Sequence, residues 1–162
     1  MSMIGNFRRV PDARLLALLE DPESVVDFLD EQGFSDLDVD KAWHGLHYLF
    51  TGTAWEGSAP LNFLVAGGRP VGDVDVGYGP ARAFLNAEVR ELVGALAPLT
   101  PEVLAERFNP AAMTHLEIYP DVWSRDAERD ENLKYLLGYF VDLKEFIEGG
   151  AKSGEGLLVF LT

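Results

Sequence analysis

The chain of 162 residues contains no cysteine, which excludes disulfides, thiolate metal sites and a cysteine nucleophile. Histidine, tryptophan and methionine are scarce, at three residues each. Cations are also in short supply: 13 Lys and Arg stand against 27 Asp and Glu, for a formal net charge of -14. The resulting negative field repels phosphate backbones and anionic lipid, so neither nucleic acid nor a membrane is expected as a partner. No apolar run approaches the about 20 residues needed to cross a bilayer. The opening residues, Met1-Ser2-Met3-Ile4-Gly5-Asn6-Phe7-Arg8-Arg9-Val10, lack the basic segment followed by an apolar one that marks a secretion leader. A cytoplasmic protein is expected. Its length suits one domain of the usual about 100–200 residues, and a 48% hydrophobic content can fill a core.

Most of the scarce side chains gather in residues 38–53. At helical spacing Trp43, Leu46 and Phe50 share an apolar face, with Asp40, His44 and His47 on its flank. Asp38 is placed to cap this helix, Asp40 to favour its positive end, and Gly52 to terminate it. Residues 2–10 alternate as a strand that stops at Pro11. Asp12 opens a helix through Leu19, and Asp21-Pro22-Glu23 opens another with Val25, Val26, Phe28 and Leu29 inward, stopped by Gly33. Residues 34–37 read as a connector and residues 58–66 as a short helix closed by Gly67-Gly68. Residues 69–85 are rich in glycine and proline, so irregular chain or short edge strand is expected.

Further along, Asn86, Thr100 and Asn109 each stand at a helix start, the last two followed by proline. The longest helical pattern begins at Asp126, turns Leu133, Leu136, Leu137, Phe140 and Ile147 inward, and is expected to stop at Gly149-Gly150. Residues 156–162 are an unbroken apolar run after glycine, as in a strand buried on both faces. The elements together predict an α/β chain with a modest mixed sheet that joins the N- and C-terminal strands, and a helix-rich middle.

No set of residues has the spacing of a known catalytic or metal motif. His44 and His47 are three apart on one helix with Asp40 a turn earlier, yet a third ligand is not visible, and no metal is expected. Flavin and nicotinamide fingerprints are missing, so no cofactor is expected either. None of the serines occupies a nucleophile elbow. Gly77-Tyr78-Gly79-Pro80 lacks the further glycine or lysine of a phosphate loop and reads as a turn. His47 has two readings, a general base or a buried imidazole bonded to backbone. Arg82, flanked by alanines, is suited to grip a carboxylate or phosphate in its fork, or to pair with Asp40 or Asp75. Tyr48, Tyr78, Tyr119, Trp43 and Trp55 can line a pocket or fill the core.

Four stretches carry a resemblance: Met3-Ile4-Gly5; Asp40-Lys41-Ala42-Trp43-His44-Gly45-Leu46-His47 followed by Thr51-Gly52; Gly77-Tyr78-Gly79-Pro80-Ala81-Arg82; and Glu117-Ile118-Tyr119-Pro120. In this order they resemble the YfbM-like family of small bacterial proteins. The resemblance implies a single domain with an α/β fold in layered α-β-α form. The family is one of unknown function, so it lends no catalytic residue. Two functional readings follow. One is a non-enzymatic interaction or regulatory protein that meets a macromolecular partner through its acidic surface. The other is a small-molecule-binding protein or enzyme with a pocket around Trp43, His47, Arg82 and Tyr119, where Asp40, Trp43, His47, Tyr78, Arg82 and Tyr119 are the candidate ligand-binding residues. The identity of a protein or small-molecule partner, and the oligomeric state, leave no signature in the sequence.

Overall fold

The two ends of the chain pair with each other. In the computed structural model, which describes residues 1–162, β1 (Gly5–Pro11) runs antiparallel to β5 (Glu155–Leu161), with Phe7 opposite Val159. On the outer side of β1 lies β2 (Ser35–Asp38); beyond β5 come β4 (Arg82–Phe84) and the edge strand β3 (Arg69–Pro70). All four ladders are antiparallel, which corrects the expected mixed sheet. Parallel neighbours need a crossover. Here each strand that is paired with its successor is re-entered from the end where the chain left it.

Alternation along the strands feeds two cores. Phe7, Phe84, Leu157 and Val159 face the larger one, which is filled by α3 (Trp43–Thr51), α4 (Asn86–Leu96), α5 (Pro101–Arg107), α6 (Pro110–His115) and α7 (Arg129–Lys152). Val10, Ala83 and Leu158 face the smaller one, under α1 (Asp12–Glu20) and α2 (Val25–Asp30). Helices thus cover both faces of the sheet, the layered form implied by the resemblance. No helix is long and apolar enough to cross a membrane.

Several elements differ from their sequence reading for identifiable reasons. Residues 34–37 are not a connector: β2 forms although Ser35-Asp36-Leu37-Asp38 shows no apolar alternation, because Asp36 pairs across the ladder with Arg8. The buried Arg8 guanidinium grips it as a fork, Nε to Oδ1 at 2.7 Å and Nη2 to Oδ2 at 2.9 Å, and its Nη1 donates to the Phe28 carbonyl. Charge-assisted pairs of this kind are the strong ones. Residues 58–66 form successive turns, not a helix. Pro60 has no N–H to give, and the carbonyls of Phe63 and Ala66 are taken by Arg82. The Gly149-Gly150 pair does not stop α7. It lets Arg9 lie against the helix, where a β-carbon at Gly149 would overlap the guanidinium. Val26 faces solvent. Asp12 and Asn86 bridge elements instead of capping: Asp12 Oδ1 accepts from Asn86 N, and Asn86 Nδ2 donates to the Glu155 carbonyl, both at 2.8 Å. Thr100 and Asn109 cap α5 and α6 as expected.

β5 is the central strand, and Val159 on it is 3% exposed. A carboxylate there must be desolvated in the larger core, a cost of about 4 kcal/mol that Arg82, its neighbour across the ladder, offsets only in part. Val159→Asp is expected to abolish the cooperative thermal transition seen by circular dichroism; wild-type melting of this variant would contradict the assignment of β5 as an interior strand.

Candidate functional site

The site grows from α3. Every residue from Trp43 to Phe50 is buried, so the helix has no solvent flank and its polar groups must find partners inside. A single 3-10 turn, Asp40–Ala42, leads into it. Asp38 Oδ1 accepts from Asp40 N at 3.0 Å, which keeps part of the expected capping role. Gly52, at φ +74°, adopts the left-handed conformation that ends the helix.

Trp43 is clamped by the N-terminal segment. Its Nε1 donates to the Met3 carbonyl, while Met3 N donates to the Tyr119 hydroxyl, each at 3.0 Å. The Tyr119 ring stacks on the indole at 5.9 Å between centroids. One residue on, His44 has both ring nitrogens committed to backbone. Ala54 O lies 2.7 Å from Nε2 and can only accept, so Nε2 carries the proton; Nδ1 accepts from Tyr119 N at 2.9 Å. Burial lowers the pKa of this neutral imidazole.

His47 lies a turn deeper with no exposed surface. Its Nε2 is 3.2 Å from Thr51 Oγ1 and 3.4 Å from Thr53 Oγ1, and its Nδ1 has no hydrogen-bond partner. Burial first, and then the proximity of His44, push its pKa down to about 4. Asp40, at φ +50°, turns to α7 and accepts from the Tyr135 hydroxyl at 2.8 Å. Burial and this carboxylate push the Tyr135 hydroxyl far above its ordinary range.

A cleft of about 300 Å³ opens beside Trp43. Trp55, Pro70, Tyr78 and Pro80 line it, together with Arg82, the one charged side chain among the lining residues. Trp55 is 59% exposed and packs 4.3 Å from the His44 ring; Tyr78 is 41% exposed. The Tyr78 turn is fixed by Asp75, whose Oδ1 accepts from Gly77 N and Gly79 N, bonds that lower its pKa. Tyr78 N in turn donates to Leu161 O at 3.1 Å. Arg82 pairs with neither Asp40 nor Asp75. It donates to the carbonyls of Phe63, Ala66 and Gly67, and burial lowers its pKa to about 10.

Of the six expected ligand-binding residues, the fold brings Trp43, Tyr78 and Arg82 to this cleft. His47 is inside the core, Asp40 is at the α7 junction, and Tyr119 borders a separate depression with Thr114, Glu117 and Asp121. The pocket expected around Trp43, His47, Arg82 and Tyr119 therefore does not form as one cavity. Trp55, Pro70 and Pro80 were missing from that set. Trp55 is nevertheless among the aromatic residues that the sequence offers for a pocket, and the signal for Pro70 and Pro80 is the density of glycine and proline in residues 69–85.

Comparison with known proteins gives a consistent picture. The model of a domain of unknown function (DUF1877) matches residues 1–160. Protein YfbM of Escherichia coli (strain K12) is 30% identical over 128 residues, covering 75% of either chain. The crystal structure of YfbM, a protein of unknown function from Escherichia coli, superposes with a TM-score of 0.79 at 24% identity over 98% of this chain and 99% of the other, which shows the same fold.

The buried histidines make stability depend on pH. His47 has a folded pKa near 4 against 6.5 in the unfolded chain. Below pH 6.5 the unfolded state takes up a proton that the folded state refuses, so stability falls with pH until about 4, by about 3 kcal/mol in all. His47→Gln removes this contribution. Urea unfolding at pH 7, 5.5 and 4.5 is expected to show wild type losing stability faster than the variant as pH drops, whereas parallel losses would mean that His47 titrates alike in both states.

Proposed function

We propose that this chain, which belongs to the DUF1877 family, is a cytoplasmic ligand-binding protein whose site is the cleft between Trp55 and Tyr78. The observation that carries this reading is the contrast among tryptophans. Trp43 and Trp123 are 1% and 3% exposed, whereas Trp55 is 59% exposed at the mouth of a cleft. Covering such a ring with an apolar ligand contributes on the order of 2 kcal/mol. The walls are also held in place beforehand: Trp55 rests on His44, and the Tyr78 turn is tied to Asp75 and to β5. Little ordering cost remains to be met on binding.

In this reading Trp43 is part of the lining, and His47 acts at one remove, as a neutral ring beside the His44 on which Trp55 rests. The alternative of a macromolecular partner steered by the net charge of -14 rests on composition. The cleft is the more specific feature.

Three ring-bearing probes test the proposal: indole, 3-phenylpropanol and 3-phenylpropionate. At least one is expected to shift the tryptophan emission of the wild type and raise its melting temperature, since a ligand that binds only the folded form stabilises it. Trp55→Ala, a change at an exposed position, is expected to melt normally and lose that response. If none of the probes binds, or if Trp55→Ala is stabilised as much as wild type, the cleft is not the site.

A further inference from the structure

Resting on the cleft as a ligand site, we infer that it selects a monocarboxylate: Arg82 in its lining receives the anion while Trp55 and Tyr78 contact an apolar ring. Arg82 is the one charged residue in the lining of the cleft. Ion pairs in this acidic protein engage Arg8, Arg9, Arg14, Arg125 and Arg129; Arg82, like Arg69, Arg90 and Arg107, takes part in none. It is instead held by three carbonyls, two on Nη1 and one on Nη2. An arginine has five N–H groups, so the Nε proton and one Nη2 proton stay uncommitted. The guanidinium therefore keeps a full charge, a fixed orientation and spare donors beside an apolar cleft.

Its environment favours an anion of a particular size and charge. Burial opposes the charged guanidinium, and a carboxylate placed against it offsets that opposition. One cation matches one negative charge. A phosphate dianion would leave a surplus charge among aromatic and proline side chains, which is costly to desolvate. The walls add neutral donors: the indole N–H groups of Trp43 and Trp123 are spent on the carbonyls of Met3 and Ile118, but that of Trp55 has no partner in the chain, and neither has the Tyr78 hydroxyl. A volume of about 300 Å³ accommodates one ring with a short acidic side chain.

The test compares 3-phenylpropionate with its neutral isostere 3-phenylpropanamide by calorimetric titration of the full chain at pH 7. The acid is expected to bind at least about tenfold more tightly. Arg82→Lys keeps a cation but loses the fork, and is expected to reduce the ratio severalfold. Should that variant fail to fold because the turns of residues 58–66 lose their anchor, the wild-type ratio decides alone. N-acetylphenylalanine, which imitates a peptide C-terminus, separates two sources: tighter binding than 3-phenylpropionate assigns the carboxylate to a peptide end, weaker binding assigns it to a free acid, and both sustain the inference. Equal binding of acid and amide overturns the carboxylate assignment while leaving the cleft a ligand site. Binding of neither overturns both.

Discussion

Full burial of α3 is the constraint from which most of this structure follows. A helix with Trp, two His and Tyr on it can be enclosed on all sides only if each polar group is neutral or bonded internally. His44 meets the condition with two backbone partners, Ala54 O and Tyr119 N. Trp43 meets it through Met3, and Met3 through Tyr119. These bonds join chain segments far apart in sequence. They bring residues 1–5, 53–55 and 117–120 around the first turn of α3, and they place the exposed Trp55 ring against His44 at the edge of the cleft.

The scarcity of cations has a structural counterpart. Several of the few basic side chains serve as internal clamps on carbonyl groups. Arg8 binds Phe28 O and Leu29 O under α2; Arg107 binds Leu49 O at the end of α3; Lys144 binds Leu99 O before α5; Arg82 gathers the turns at residues 63–67. Long cationic side chains suit this work, because their stems pack on apolar neighbours while their heads meet groups that helices and turns leave unpaired. Arg8 combines such bonds with a carboxylate and two aromatic rings. Arg82, Arg107 and Lys144 have carbonyls without a carboxylate, and of these three Arg82 alone lines the cleft.

What could be read from the sequence was decided by local chemistry. The apolar run of β5, the glycine stop at Gly52 and the caps at Thr100 and Asn109 depend on neighbours in the chain, and the structure agrees with each. β2 was hidden because its pairing depends on Arg8, distant in sequence, and not on its own pattern. Gly149-Gly150 was misread for a similar reason: glycine as a helix stop and glycine as a bed for Arg9 look alike until the opposite element is known. The candidate site was half legible. Trp43, Tyr78 and Arg82 converge, but a helical wheel assigns Asp40 and His47 to a flank that faces solvent only when one side of the helix is open. With α3 enclosed, that flank became core for His47 and an interhelical contact for Asp40.

The enclosure of α3 can be read most directly from the protonation of its histidines. Long-range proton–nitrogen correlation spectra of uniformly labelled protein distinguish imidazolium from the two neutral tautomers. At pH 6 His44 is expected to be neutral, with its proton on Nε2 and Nδ1 acting as acceptor, and His47 to be neutral as well. An imidazolium signal from either ring at that pH, or a proton on Nδ1 of His44, would contradict a fully enclosed helix and the support it gives to the cleft.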